Sequence, residues 1–188
     1  MFIVIDGLDA SGKSTQALRL LKFFTAKGKT VCLRVHPSSD NFFGFKAKHF
    51  LYSRGKNAHF ASAIFYMLDV IRSILVYAWR RYDHIIFVRY LMGTAYLPPP
   101  LHKIAYYFFA FIVPRSDVMF FLDIDPVEAY RRICQTREHR EMFENLEELE
   151  KTREKGLYLA LSGKWKIINA GKTKEEVAKD ILKLLEVS

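Results

Sequence analysis

The amino-acid sequence predicts an α/β domain in which a parallel five-stranded sheet is covered by helices on both faces. Two observations point there. Short apolar, β-rich runs at 2–5, 30–35, 84–88, 118–122 and 165–168 alternate with longer stretches of helical spacing, the pattern of strand–crossover–strand units buried on both sides. The first run also leads into Gly7-Leu8-Asp9-Ala10-Ser11-Gly12-Lys13-Ser14-Thr15 and then an amphipathic stretch, which is the strand–loop–helix order of a phosphate-binding loop. With 188 residues, 51% of them apolar, the chain suits one well-buried domain, 1–188, and shows no repeat and no linker.

Each element follows from a local signal. The helix at 15–26 stops near Gly28, and the second strand breaks at His36-Pro37-Ser38-Ser39-Asp40. Helical spacing returns at 45–52 and again over a long stretch at 57–81. The third strand ends at Arg89-Tyr90, and 93–97 leads into Pro98-Pro99-Pro100, a stiff connector that continues neither strand nor helix. An apolar helix at 101–113 is ended by Pro114, and Pro126 opens the helix after the fourth strand in its favoured first-turn position. Residues 131–153 are strongly charged and precede a helix running to 161; Asn169-Ala170-Gly171 turns the last strand into a final helix at 174–185. In such a sheet ligands gather at the carboxyl ends of the strands, where Gly7, His36, Arg89, Asp123 and Asn169 all fall.

The loop chemistry makes this the three-layer P-loop NTPase form of the α/β class. Gly7 and Gly12 let the backbone curl so that successive N–H groups of Asp9, Ala10, Ser11 and Gly12 can face phosphate oxygens. Lys13, expected on an exposed loop, offers a charge to the β- and γ-phosphates, and Ser14 offers a hydroxyl to Mg²⁺. Thr15 opens a helix whose N-terminus is aimed at the anion. A nucleoside triphosphate and Mg²⁺ are therefore the expected donor and metal.

Composition narrows the remaining classes. The formal charge of +9 invites a nucleic-acid partner, but the basic residues are not interleaved with stacking aromatics and no nucleic-acid module is present. Cys32 and Cys134 form no metal or redox motif, which fits a reducing cytoplasm. The chain opens directly into its first strand, so no secretory leader is expected. No membrane span is expected either: 60–79 carries Asp69 and Arg72 at its middle, and 101–113 falls short of the roughly 20 residues a span needs. Both stretches read as helices buried in the core or against a second subunit.

With these landmarks in place the chain resembles the thymidylate kinases, a branch of the nucleoside monophosphate kinases, along almost its whole length. The resemblance lies in the phosphate loop containing Asp9 and followed by Ser14-Thr15-Gln16, and in Arg89-Tyr90 after the third strand. It continues with Leu122-Asp123 before Pro126 to Ala129, Arg137 and Arg140 ahead of Phe143-Glu144, and Ile168-Asn169-Ala170. It implies ATP-dependent phosphoryl transfer to thymidine monophosphate, with Asp9 near the acceptor sugar, Arg89 clamping the acceptor phosphate, and Tyr66 or Phe65 against the base. It implies a mobile lid at about 136–148, adenine near Asn169-Ala170, and a homodimer paired through helices. The loop itself carries Ala10 and Ser11 rather than an arginine, so the resemblance leaves the catalytic arginine to Arg137 or Arg140.

Three departures bear on the acceptor. Val88 stands where the family has an aspartate before Arg89-Tyr90, which leaves the metal to Ser14, water and either Asp6 or Asp123. Val70 follows Asp69 where the family has an arginine, and Arg72 is about 200° further round the helix. The arginine-x-proline pattern after the second strand is one residue longer here, Arg34-Val35-His36-Pro37. A different nucleotide or nucleoside acceptor, or a nucleotide-binding protein without transfer activity, remain as alternatives.

Overall fold

The structure is a computed structural model, and it describes residues 1–53, 56–77, 80–136 and 145–186. Its strands are β1 (Phe2–Gly7), β2 (Val31–Val35), β3 (His84–Val88), β4 (Val118–Asp123) and β5 (Lys166–Asn169). They form one sheet in the order β2-β3-β1-β4-β5, and every pairing is parallel. The helices are α1 (Lys13–Ala26), α2 (Phe42–Leu51), α3 (Lys56–Tyr77), α4 (Leu101–Ile112), α5 (Pro126–Thr136), α6 (Leu146–Ser162) and α7 (Lys174–Glu186).

Alternation along β1 builds the three layers. Ile3 and Ile5 face one side, against Ala17, Leu20 and Phe24 of α1, Ile133 of α5 and Ile181 of α7. Val4 faces the other, with Phe87 and Phe121 beneath Tyr66, Val70 and Ile74 of α3, Phe109 of α4 and Leu159 of α6. The expected sheet and its two helical layers are therefore present. Element ends differ by a few residues. Helix α1 begins at Lys13 rather than residue 15, and α3 is described only to Tyr77. Helix α2 begins three residues early because Asn41 is its N-cap: the side-chain oxygen accepts from Phe43 N at 2.9 Å and Gly44 N at 3.1 Å. The stretch before the prolines is a 3-10 helix, Met92–Tyr96.

By length and composition, Phe60–Tyr77 could cross a bilayer. Its polar side is committed inward: Asp69 is fully buried and accepts from Ser38 N at 2.7 Å, Ser38 Oγ at 2.6 Å and Asn41 Nδ2 at 2.7 Å. That carboxylate ties the loop after β2 to α3 and so fixes one wall of the cleft.

The end of β1 tolerates only glycine. Gly7 has φ 144°, and a Cβ there would lie 2.4 Å from the Leu122 carbonyl oxygen of β4. Gly7→Ala should therefore lose about 1–3 kcal/mol to backbone strain with the clash in addition, read as a lower midpoint in urea unfolding. Unchanged stability would contradict this register of β1 on β4.

Candidate active site

The five strand ends share one rim, and the loop between β1 and α1 lies at its centre. Ala10 (φ 58°) and Gly12 (φ 89°) turn the loop, and Ser11 N donates to Leu8 O at 3.1 Å. Helix α1 has no side-chain cap, so the N–H groups of its first turn are left to the hollow of the loop, as an anion site requires. Ser11 Oγ is buried without a hydrogen-bond partner, whereas Ser14 is exposed at the mouth and Thr15 half-buried behind it. This donor set fits a nucleotide polyphosphate.

Lys13 departs from expectation. It is only 4% exposed, and its ammonium donates to Gly7 O at 2.9 Å and Leu8 O at 2.6 Å, with Asp9 at 3.6 Å. The reason is position: Lys13 starts α1, so its side chain runs back under the loop. Burial, reinforced by Arg89, pulls its pKa down to about 8 against the opposing pull of Asp9 and Asp6.

Asp9 joins this loop to a cavity of about 390 Å³ beside it. One carboxylate oxygen accepts from Arg89 Nη2 at 2.6 Å, the other from Tyr96 Oη at 2.7 Å. Burial alone would raise this carboxyl; Arg89, Lys13 and the two hydrogen bonds outweigh it and hold Asp9 well below the usual carboxylate range. Arg89 and Asp9 line the cavity with Lys48, Tyr52, Tyr66 and Tyr96, and the apolar wall includes Val35, Leu51 and Leu97. Tyr66 is the aromatic of the expected pair that faces it, fixed by its hydroxyl to Tyr90 O at 3.1 Å. Phe65 does not line it: its ring stacks on Phe50 of α2, with centroids 5.7 Å apart.

Both carboxylates considered for the metal are engaged. Asp6 accepts from Gly7 N at 2.9 Å, Tyr90 N at 2.8 Å and Met92 N at 3.2 Å, so it anchors the segment after β3. Burial raises its pKa against the pull of Lys13 and these N–H groups. Asp123 is held in a fork by Arg153, at 2.8 and 2.9 Å. No cluster of three or more His, Cys, Asp or Glu suited to a metal occurs among the described residues. Ser14 is thus the group of this set left open to a cation.

On the far side of the loop, Asn169 Oδ1 accepts from Gly171 N at 2.9 Å and Ala170 N donates to Asp123 O at 2.7 Å. Arg132 of α5 spans the two loops, reaching Ala10 O and Ala170 O, each at 3.4 Å. Arg137 and Arg140 lie outside the described residues. Val88 and Val70 are both fully buried core, and Arg72 does not line the cavity.

Residues 5–181 match the family model described as thymidylate kinase. The chain belongs to the thymidylate kinase family. A probable thymidylate kinase of Pyrobaculum calidifontis is 30% identical over 191 residues, covering 99% of this chain and 96% of that protein. The thymidylate kinase of Thermosipho melanesiensis is 30% identical over 199 residues, covering 99% and 98%. A solved thymidylate kinase from Candida albicans shares the fold, with a TM-score of 0.78 at 19% identity over 99% of this chain and 91% of that one.

Tyr96, Lys48 and Arg132 of this thymidylate kinase family member are not marked by its sequence as site residues. Arg132 follows Glu128 at helical spacing, and its Nε is 2.7 Å from Glu128 Oε1, which marks a helix face but not what the face overlooks. Tyr96 and Lys48 carry no local signal, because only the packing of the 3-10 helix and α2 brings them to the cavity.

The depressed lysine predicts a pH effect. Between about 8 and the ordinary 10.5 of Lys13 the unfolded chain binds more protons than the folded one, so this residue makes stability rise with pH in that window. Urea titrations at pH 8 and 10 should show the rise in wild type and a smaller one in Lys13→Met. Equal slopes would mean that Lys13 is not buried as a cation.

Proposed function

We propose that this protein transfers the γ-phosphoryl group of ATP to thymidine monophosphate, giving thymidine diphosphate. The observation that carries the reading is the Asp9–Arg89 pair, 2.6 Å apart, which stands between the phosphate loop and the cavity. In this reading Gly7, Asp9, Ala10, Ser11, Gly12, Lys13, Ser14 and Thr15 cradle the donor phosphates, and Asn169 and Ala170 border the adenine. Ser14, with the phosphates and water, would hold Mg²⁺, which would supply charge neutralisation at the transferring group. Tyr66 stands against the acceptor base, Asp9 beside its sugar, and Arg89 grips its phosphate in a bidentate fork. Arg137 and Arg140 are the proposed transition-state cations from the segment 136–148, within a single domain. An arginine in that role contributes about 10³- to 10⁵-fold in rate.

A homodimer is part of the proposal. The outer face of α4 exposes Ile104, Phe108 and Phe111, the last 89% exposed, and α3 exposes Ile64, Leu68 and Leu75; a second copy would cover such faces. A cytoplasmic enzyme acting on small nucleotides, without nucleic acid or membrane, accords with this reading. Sedimentation should give a dimer that Phe108→Glu with Phe111→Glu converts to monomer, and a wild-type monomer would refute the pairing.

The activity is tested by a coupled assay across monophosphates and nucleosides. Thymidine monophosphate should be the preferred acceptor. Lys13→Ala should abolish turnover and, because buried Asp9 then loses one of its two cations, lower stability without unfolding the domain; Arg89→Lys should be nearly as damaging to turnover as Arg89→Ala, since lysine keeps the charge and loses the planar fork. Alanine at Arg137 or Arg140 should lower kcat about tenfold or more in at least one case, with little change in ATP affinity. Better phosphorylation of the nucleoside than of its monophosphate would overturn the assignment of Arg89.

A further inference from the structure

Arg89 reaches the cavity from an unusual backbone. Its φ is 62°, a left-handed conformation disfavoured for residues with a Cβ, and it falls immediately after the last residue of β3. Something must hold it there. Arg89 N donates to Ile5 O at 3.1 Å, which fixes one side of the residue to β1. The other side is fixed by His36, just past the end of β2. Nδ1 of His36 lies 3.0 Å from Arg89 O, Arg89 Nη1 donates to His36 O at 3.3 Å, and His36 N donates to Val88 O at 3.0 Å.

The chemistry of this clasp specifies the imidazole. A carbonyl oxygen only accepts, so Nδ1 carries the proton. Nε2 then presents a lone pair, buried and without a hydrogen-bond partner, while the ring meets Phe87 edge to face with centroids 5.0 Å apart. The side chain is fully buried, and burial pulls its pKa down to about 4, so a second cation does not form beside the guanidinium. His36 does not line the cavity; it reaches the acceptor only through Arg89.

We propose that His36 is the positioning residue of the acceptor-phosphate clamp: its neutral imidazole, donating from Nδ1 to Arg89 O, sets the left-handed backbone that turns the guanidinium onto Asp9 and into the cavity. The inference rests on the reading of Arg89 as that clamp.

The test compares His36→Asn, His36→Gln and Arg89→Ala in steady-state kinetics with thymidine monophosphate and ATP varied separately. Asparagine puts its amide nitrogen as many bonds from Cβ as Nδ1, whereas glutamine puts it one bond further. His36→Gln should raise the acceptor KM about tenfold or more with the ATP KM unchanged, and His36→Asn should recover most of that loss. Wild-type acceptor kinetics in His36→Gln, or equal damage from the two amides, would overturn the role of His36. An unchanged acceptor KM in Arg89→Ala would instead overturn the clamp itself. Should the variants not fold, nitrogen-15 histidine spectra of wild type decide: the Nδ1–H tautomer, without titration between pH 5.5 and 8, is expected, and an Nε2–H tautomer or a midpoint in that range refutes the proposal.

Discussion

The carboxylate of Asp9 is the group around which the site is assembled. A buried carboxylate is tolerated only when it is paired and its lone pairs are filled. Asp9 meets that condition with Arg89 and Lys13 as cations and the Tyr96 hydroxyl as a further donor. These partners come from the end of β3, the start of α1 and the 3-10 helix, so a single charge holds three segments in register. Asp6, three residues earlier, does the same for backbone, accepting from Tyr90 and Met92 where the chain leaves β3. The phosphate loop and the cavity are thereby one object.

The cavity wall obeys a similar rule one layer out. Asp69 gathers Ser38 and Asn41, Asn41 caps α2, and α2 carries Lys48, Leu51 and Tyr52 to the cavity. Arg34 closes the base of the same loop with a fork onto Asp40, at 2.7 and 2.9 Å. Buried polar groups here anchor loops, and the loops position the side chains that meet ligand. Removing one partner of such a pair is costly because the other is left without water or a mate.

What could be read from the chain alone was what local pattern encodes. The loop from Gly7 to Thr15, the buried strands and the strand-end positions of Arg89, Asp123 and Asn169 follow from periodicity, glycine placement and parallel topology. The failures share a cause. Phe65 and Tyr66 are adjacent on one helix, and only the stacking of Phe65 on Phe50 assigns Tyr66 to the cavity. The motif identifies Lys13 but not its burial, which follows from α1 beginning at that residue. Asp6 and Asp123 stand at strand ends, and their partners, the N–H groups of Tyr90 and Met92 and the guanidinium of Arg153, are not legible from the sequence. Each answer depends on a partner distant in sequence.

The two valines that break the family pattern act on different halves of the site. Val88 belongs to the core layer shared with α1 and the loop, and Val70 to the layer beneath α3 and the cavity. Val88 is a strand residue facing the α1 layer and Val70 a helix residue packed on the other layer, so the sheet stands between the two positions. On the proposed donor side the cation would be left to Ser14 and the phosphates. On the proposed acceptor side the work falls on Arg89, whose charge is already shared with Asp9; among the described residues Lys48 is the other cationic side chain lining the cavity. For a guanidinium proposed to serve both Asp9 and a phosphate, the direction in which it points matters more than in a site with a second arginine, and that direction is set by the backbone of Arg89.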